Sequence, residues 1–262
     1  MSFGENILKR LEDKQLILPL LENQMRADVW PDTMMVEVDT SPYYGLDETG
    51  KPDGYFHPSS HSLKTARQLY YEFSPDHKHL VEREPWSMPL MMASSVGSSI
   101  HALLQTQLQM AGLCGPNDIE PEYTNLEHWV RGRGDVVVHH PTEGAIPVEI
   151  KTRTAYKYNS TTIADMPSWE IQLSLACDNL SERYDTDFTY GILLMVEMGW
   201  PFRMKELRVP RNDAKLAETY AKFDYVRECI RTSTPPPYCC SLGSETMKAC
   251  PVRHACWLKD VR

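Results

Sequence analysis

Apolar and polar positions change period several times along the chain, and each change predicts an element. Ile7, Leu8 and Leu11 share one helical face, and Leu20 and Leu21 resume it after Pro19. Residues 5–27 therefore read as two short helices divided at the proline. Residues 29–57, rich in Pro, Asp, Gly and Tyr, show no period and read as a long loop or arm. Leu63, Ala66, Leu69 and Phe73 recur at helical spacing and predict one capped helix over Ser59 to Phe73. Ser94 or Ser95 is expected to cap a second helix running to about Leu113, with Gly97, His101, Leu104, Leu108 and Ala111 facing inward.

Beyond the Gly115-Pro116-Asn117-Asp118 breaker the pattern shortens to that of strands. One strand is expected near Leu126 to Val130. The β-branched run Val136, Val137, Val138 and the apolar stretch Ile146 to Ile150 predict two more, joined by the turn His140-Pro141-Thr142-Glu143-Gly144. Ser168 begins a helix carrying Trp169, Ile171, Gln172, Leu175 and Ala176. Tyr190 to Glu197 and Arg203 to Val209 predict a strand pair about Gly199-Trp200-Pro201. Asn212 or Asp213 caps a helix with Leu216, Tyr220, Phe223, Val226 and Ile230 on one side, which Pro235-Pro236-Pro237 ends and stiffens. The alternation implies an α/β chain whose mixed central sheet is flanked by helices.

At 262 residues the chain can bury a full core. It has no apolar run of membrane-spanning length and no basic segment followed by an apolar stretch at its start, so a cytoplasmic location is expected. The net charge of -9 argues against non-specific coating of nucleic acid. A local basic groove is compatible with it, because Arg131, Arg133, Lys151, Arg153 and Lys157 cluster in one stretch.

That stretch, Arg131 to Arg153, also carries acids where apolar residues would be cheaper. Asp135 opens one strand, and Glu149 sits between Val148 and Ile150 in the next. Lys151 follows two residues later, so strand alternation puts its side chain on the face of Glu149. An Asp at a strand start is often only a turn residue, and Glu-x-Lys on a strand is often a solvated face. Carboxylates beside an ammonium can also hold a divalent cation and steady a developing negative charge, and such oxygen ligands suit Mg²⁺ or Mn²⁺. His101, taken alone in its apolar stripe, reads as a core histidine.

The flanking sequence changes that weighting. Gly97-Ser98-Ser99-Ile100-His101, Gly132-Arg133-Gly134-Asp135, Val148-Glu149-Ile150-Lys151-Thr152 and Glu170-Ile171-Gln172 occur in this order. Over roughly residues 59 to 209 the chain resembles the RecB-like branch of the PD-(D/E)XK nuclease superfamily. The resemblance implies a restriction-endonuclease-like core. It implies that His101, Asp135 and Glu149 are metal ligands, with the Ile150 carbonyl as a fourth. Lys151 would then orient or activate the attacking water, and Gln172 would position Lys151 or a phosphate; from the basic cluster itself, Arg131, Arg133, Arg153 and Lys157 are the expected DNA contacts. One departure stands out: the tyrosine common one turn after the family's glutamine is here Ala176, followed by Cys177.

The chain ends with Cys239-Cys240 and then Cys250-Pro251-Val252-Arg253-His254-Ala255-Cys256. Cysteines so spaced in a chain of this length point to a metal site rather than a disulfide framework. This ending resembles the iron–sulfur domain of CRISPR-associated exonucleases. That family has a further cysteine upstream, where this chain reads Thr65-Ala66-Arg67-Gln68-Leu69-Tyr70-Tyr71. The fourth ligand is therefore expected to be Cys239, with Cys114 as the more distant alternative. Four thiolates suit a 4Fe–4S cluster or a structural Zn²⁺ equally by chemistry. Cys177 and Cys229 fall in helices and read as core.

Together these readings give an N-terminal helical arm over residues 1–57, a nuclease core over 58–232 and a cysteine-rich segment over 233–262 that forms one compact unit with the core. The expected activity is metal-dependent hydrolysis of DNA, from single-stranded ends and in the 5′ to 3′ sense by resemblance. The rivals are an endonuclease on the same core, a non-catalytic DNA-end-binding adaptor, and a zinc-binding interaction module.

Overall fold

The computed structural model describes residues 15–26, 34–38, 53–81 and 87–258. Helix α1 (Leu18–Met25) carries Pro19 in its first turn, where a missing N–H costs nothing. Its amide end is closed from a distant strand: the Glu206 carboxylate accepts the N–H groups of Leu16 and Ile17 at 2.8 Å each, and that of Leu18. Ile7, Leu8 and Leu11 of the expected first helix lie outside the described residues, as do most residues of 29–57.

The single helix expected over Ser59 to Phe73 is two, α2 (Pro58–His61) and α3 (Ala66–Phe73). Thr65 and Gln68 form a capping box that starts a new helix: Gln68 N–H donates to Thr65 Oγ1 at 3.3 Å and Thr65 N–H to Gln68 Oε1 at 2.9 Å. Leu63, placed above in one stripe with Ala66, Leu69 and Phe73, lies between the two helices and is 60% exposed. Helix α4 (Met88–Met110) is capped by Ser87, not by Ser94 or Ser95. The two later serines lie inside it, where the Ser95 hydroxyl bonds back to the Met91 carbonyl oxygen at 3.0 Å. The helix stops short of Leu113 because Gly112 takes the left-handed conformation, φ +70°.

Strands β1 (Glu122–Asn125) and β2 (Val130–Arg133) pair antiparallel. Of the strand expected near Leu126 to Val130, only Val130 is in a strand, as the first residue of β2, and Leu126 to Trp129 form the turn between β1 and β2. Leu126 is 70% exposed and Trp129 has φ +52°, so the apolar run turns outward rather than extending. Then follow β3 (Val136–His140), β4 (Gly144–Thr154), α5 (Ala155–Tyr158), α6 (Pro167–Leu180), β5 (Tyr190–Met198) and β6 (Met204–Pro210). Helix α7 (Asp213–Arg231) is capped by Asn212, which accepts the Lys215 N–H at 3.0 Å, and α8 (Glu245–Lys248) and a turn at His254–Leu258 complete the described chain.

The main sheet has the order β3-β4-β5-β6. Its outer pairs are antiparallel and its central pair, β4 with β5, is parallel, with α6 on the crossover between them. This is the mixed sheet flanked by helices that the alternation predicts. Period-2 alternation divides its side chains between two cores. Val136, Val138, Ile146, Val148, Ile150, Ile192 and Leu194 pack with Leu18 and Leu21 of α1 and Leu104 and Leu108 of α4. Val137, Leu193 and Met195 face the other way, against Leu173, Ala176 and Leu180 of α6 and Phe223 and Val226 of α7. Residues 16–21, read above as part of an arm, thus belong to the first core. A third cluster joins Val252, Ala255 and Cys256 of the C-terminal segment to Tyr70 and Tyr71 of α3 and Cys229 of α7. Among the described residues no helix is long and apolar enough to cross a membrane.

Candidate functional site

The β3–β4 ladder ends at Val136 opposite Val148, while β4 continues to Thr154 beside β5. Past that point the N–H of Ile150 needs an acceptor, and the Asp135 carboxylate supplies one: Oδ2 accepts it at 2.6 Å. The acid that opens β3 therefore stands beside the segment carrying Glu149 and Lys151. Those two project, by alternation, from the α6 face, opposite Leu193 and Met195 in register. Glu149 is 1% exposed, and the Lys151 ammonium bonds its Oε1.

His101 reaches the same place from α4, its Nδ1 3.5 Å from Asp135 Oδ1. One turn later the buried Gln105 donates from Nε2 to the Asp135 carbonyl oxygen at 2.8 Å. Sequence reading missed Gln105. Its signal was available: a polar residue four positions after His101, on the same inward stripe. Gln172 on α6 lines a cleft of about 180 Å³ together with Pro58, Ser59, Tyr123, Arg133 and Asp135.

The charges in this site are strongly perturbed. Burial, and then the neighbouring Asp135 carboxylate, push the Glu149 carboxyl up to about 7 despite Lys151. Burial also opposes ionisation of Asp135, but His101, Lys151 and the Ile150 N–H together hold its carboxyl below the ordinary range. His101 and Lys151 are driven the opposite way by burial, and the adjoining carboxylates outweigh it, so both are raised. Two adjoining carboxylates, one of which burial and its neighbour keep from ionising easily, make a chemistry that a divalent cation would satisfy. As placed, no three His, Cys, Asp or Glu side chains among the described residues form a ready metal-binding group. Lys151 bonds one oxygen of Glu149, so a cation would have to share that carboxylate with the ammonium.

The expected DNA contacts are dispersed among local partners. Arg131 pairs with Asp53 at 3.2 Å and lies over the Tyr55 ring, and Arg133 pairs with Glu120 at 2.7 Å. Arg153 lies 4.4 Å over the Trp169 ring and contacts Met166 Sδ, while Lys157 on α5 is exposed.

The tail cysteines gather around the first turn of α3. The Thr65 hydroxyl lies 3.5 Å from Cys239 Sγ, Arg67 Nε 2.9 Å from Cys256 Sγ and Gln68 Nε2 3.6 Å from Cys250 Sγ. Cys240 interacts with Cys239 and Cys250, and burial leads the causes that raise its thiol. Cys114 lies elsewhere, in the core shared by α1 and α4, where burial pushes its thiol up to about 12. Cys177 is likewise core, whereas Cys229 packs in the cluster of Cys250 and Cys256.

No protein-family model matches the chain, and no curated protein matches it. Among solved structures it is similar to the protein SSO0001, at 15% identity over 95% of each chain with a TM-score of 0.42. It is also similar to an alkaline exonuclease from Laribacter hongkongensis, at 14% identity over 69% of this chain and 89% of that chain with a TM-score of 0.43. These are distant likenesses of backbone outline, and no residue's role passes from them to this chain.

Proposed function

We propose that the chain is a metal-dependent deoxyribonuclease whose active site is built from His101, Asp135, Glu149, Ile150 and Lys151, with Gln172 at its edge. The observation that carries this reading is the meeting of the His101, Asp135, Glu149 and Lys151 side chains, from α4, the start of β3 and β4, at one place where the ladder ends. Hydrolysis of a phosphodiester needs a nucleophilic water at neutral pH and a positive group near the developing oxyanion. His101, Asp135, Glu149 and the Ile150 carbonyl would hold Mg²⁺ or Mn²⁺, which supplies a Lewis acid and lowers the pKa of bound water. Lys151 offers a buried ammonium at the same place, and Asp135 and Gln172 border a cleft that admits a phosphate-sized group. Single-stranded ends as substrate, digestion in the 5′ to 3′ sense, and contacts from Arg131, Arg133, Arg153 and Lys157 belong to the same reading.

The tail reading is that Cys239, Cys240, Cys250 and Cys256 hold a 4Fe–4S cluster, with structural Zn²⁺ as the alternative. Its support is the donor chemistry: three groups on one helical turn address three of these sulfurs. The deciding experiment incubates purified protein with end-labelled linear and circular single-stranded DNA, and with duplex, in Mn²⁺, Mg²⁺ or chelator. An exonuclease leaves the circle intact, an endonuclease opens it, and an adaptor binds ends without cleaving in any of the three conditions.

A further inference from the structure

Arg67 sits at the second position of α3, 6% exposed. A guanidinium stays charged wherever it is placed, so burying one demands a counter-charge. The groups its guanidinium meets are a sulfur, a carbonyl oxygen, a hydroxyl and an aromatic ring, not a carboxylate. Nε donates to Cys256 Sγ at 2.9 Å, NH1 to the Pro236 carbonyl oxygen and NH2 to the Tyr71 hydroxyl at 3.3 Å. The guanidinium carbon lies 3.7 Å from the centre of the Tyr238 ring, which stacks on Trp257. Of these groups the cysteine sulfur is the one that metal ligation would make anionic at neutral pH; unligated it is a thiol, which burial holds above its usual range.

The neighbours of Arg67 repeat the pattern. Thr65 and Gln68 aim a hydroxyl and an amide at Cys239 and Cys250, so the first turn of α3 presents donors to sulfurs on both sides of the proline-led tail. Thiolates ligating zinc or an iron–sulfur cluster leave the whole centre negatively charged, and surrounding N–H donors and cations disperse that charge. Burial of an arginine against sulfur is wasteful for a thiol and apt for such a centre.

We propose that Arg67 is the counter-charge of an anionic metal–thiolate centre formed by Cys239, Cys240, Cys250 and Cys256, with Thr65 and Gln68 completing its donor shell. This rests on the reading of the tail as a cysteine-bound centre. Arg67 acts as a positioning residue, through Cys256, and touches no reacting atom. The plain rival is that Arg67 only packs, bolting Tyr71, Tyr238 and the Pro236 carbonyl together.

Two variants separate these roles. Arg67→Met keeps most of the volume and loses the charge, and Arg67→Lys keeps the charge and loses the planar Nε–H. Wild type and both variants are purified anaerobically and assayed for iron, acid-labile sulfide and zinc, for metal loss to a competing chelator, and for reduction potential where iron is found. Far-UV circular dichroism checks the fold. The expected result is metal in the wild type, metal binding about 10- to 100-fold weaker in Arg67→Met, and retention in Arg67→Lys. Any cluster left in Arg67→Met is expected to have a more negative potential, because a cation that eased reduction is gone. If Arg67→Met fails to fold, Arg67→Lys decides: metal loss from a folded Lys variant overturns the counter-charge role. Equal metal content and equal potential in wild type and Arg67→Met would leave the cysteine centre standing and overturn the role of Arg67. Wild-type protein without iron or zinc would overturn both.

Discussion

The Asp135 carboxylate accepts the Ile150 N–H at 2.6 Å, closing the ladder where β3 stops. One side chain thus has a structural duty and a chemical one, and substitution can divide them. Asp135→Asn keeps an oxygen acceptor and loses the charge. It is expected to unfold near the wild-type urea midpoint while Mn²⁺-dependent hydrolysis of end-labelled DNA falls by about a hundredfold or more. Asp135→Ala also strands the amide, and should lose roughly 1–3 kcal/mol of stability besides. An Asn variant with wild-type turnover would place the chemistry elsewhere.

Lys151 bonds the nearly inaccessible Glu149 and is itself held in its charged form by the two carboxylates. Its charge matters most when negative charge develops on phosphate, so Lys151→Met should cut turnover by about a hundredfold. Affinity for an uncleaved oligonucleotide, measured in chelator, should change far less. Equal losses in the two measurements would make Lys151 a binding contact.

Much of this arrangement was legible because its signals are local and periodic. The valine run of β3, the strand pair about Gly199-Trp200-Pro201 and the apolar stripes of α6 and α7 survive folding nearly unchanged. The positions of the acids are legible too: Asp135 stands immediately before the apolar run of β3, and Glu149 interrupts that of β4. What was lost depends on partners far away in sequence. The Thr65–Gln68 box splits a stripe that looks continuous, and Leu126 to Trp129 turns outward because β1 and β2 pair on either side of it. Arg67 looks like an ordinary helix residue until Cys256 is brought to it from 189 positions away, and Gln105, though polar on an inward stripe, shows its role only when Asp135 arrives from 30 positions away.

Gly191 lies in β5, against Leu173 of α6 and the backbone of β4. A Cβ there would meet Leu173 Cδ1 at 2.7 Å and the backbone oxygen of Pro147 at 2.9 Å. Leucine can turn aside, but the β4 backbone cannot, so Gly191→Ala should cost about 1–3 kcal/mol by overpacking. Because Pro147 precedes Glu149 by two residues on β4, activity should suffer beyond the loss in folded fraction. Chemical unfolding beside an assay at a temperature where both proteins are folded tests this. An unchanged unfolding midpoint would mean that β4 and β5 can separate without penalty.

His61 ends α2 among Phe56 and Phe73, with its Nδ1 accepting the His57 N–H at 2.7 Å. An imidazole that accepts at Nδ1 is neutral there. Burial lowers its pKa to about 3, helped by Lys64, His57 and Lys222. Glu72 stands 4.0 Å from Nε2 and would favour the protonated ring, but Lys64 bonds both oxygens of that carboxylate at 2.7 and 2.8 Å and offsets it. The unfolded chain takes up a proton below about 6.5, and the native protein does not until about 3. Stability from this residue is therefore complete above the unfolded value and is lost as pH falls toward the folded one. Between pH 7 and pH 5 the loss should be roughly 2 kcal/mol. His61→Gln can still accept the His57 N–H and does not titrate, so its stability should lack this slope. Urea unfolding of both proteins at pH 7, 6 and 5 measures the difference, in which the other histidines cancel. The gap between the two proteins should shift toward the glutamine variant as pH falls, and parallel pH dependences would show that His61 is protonated in the folded state.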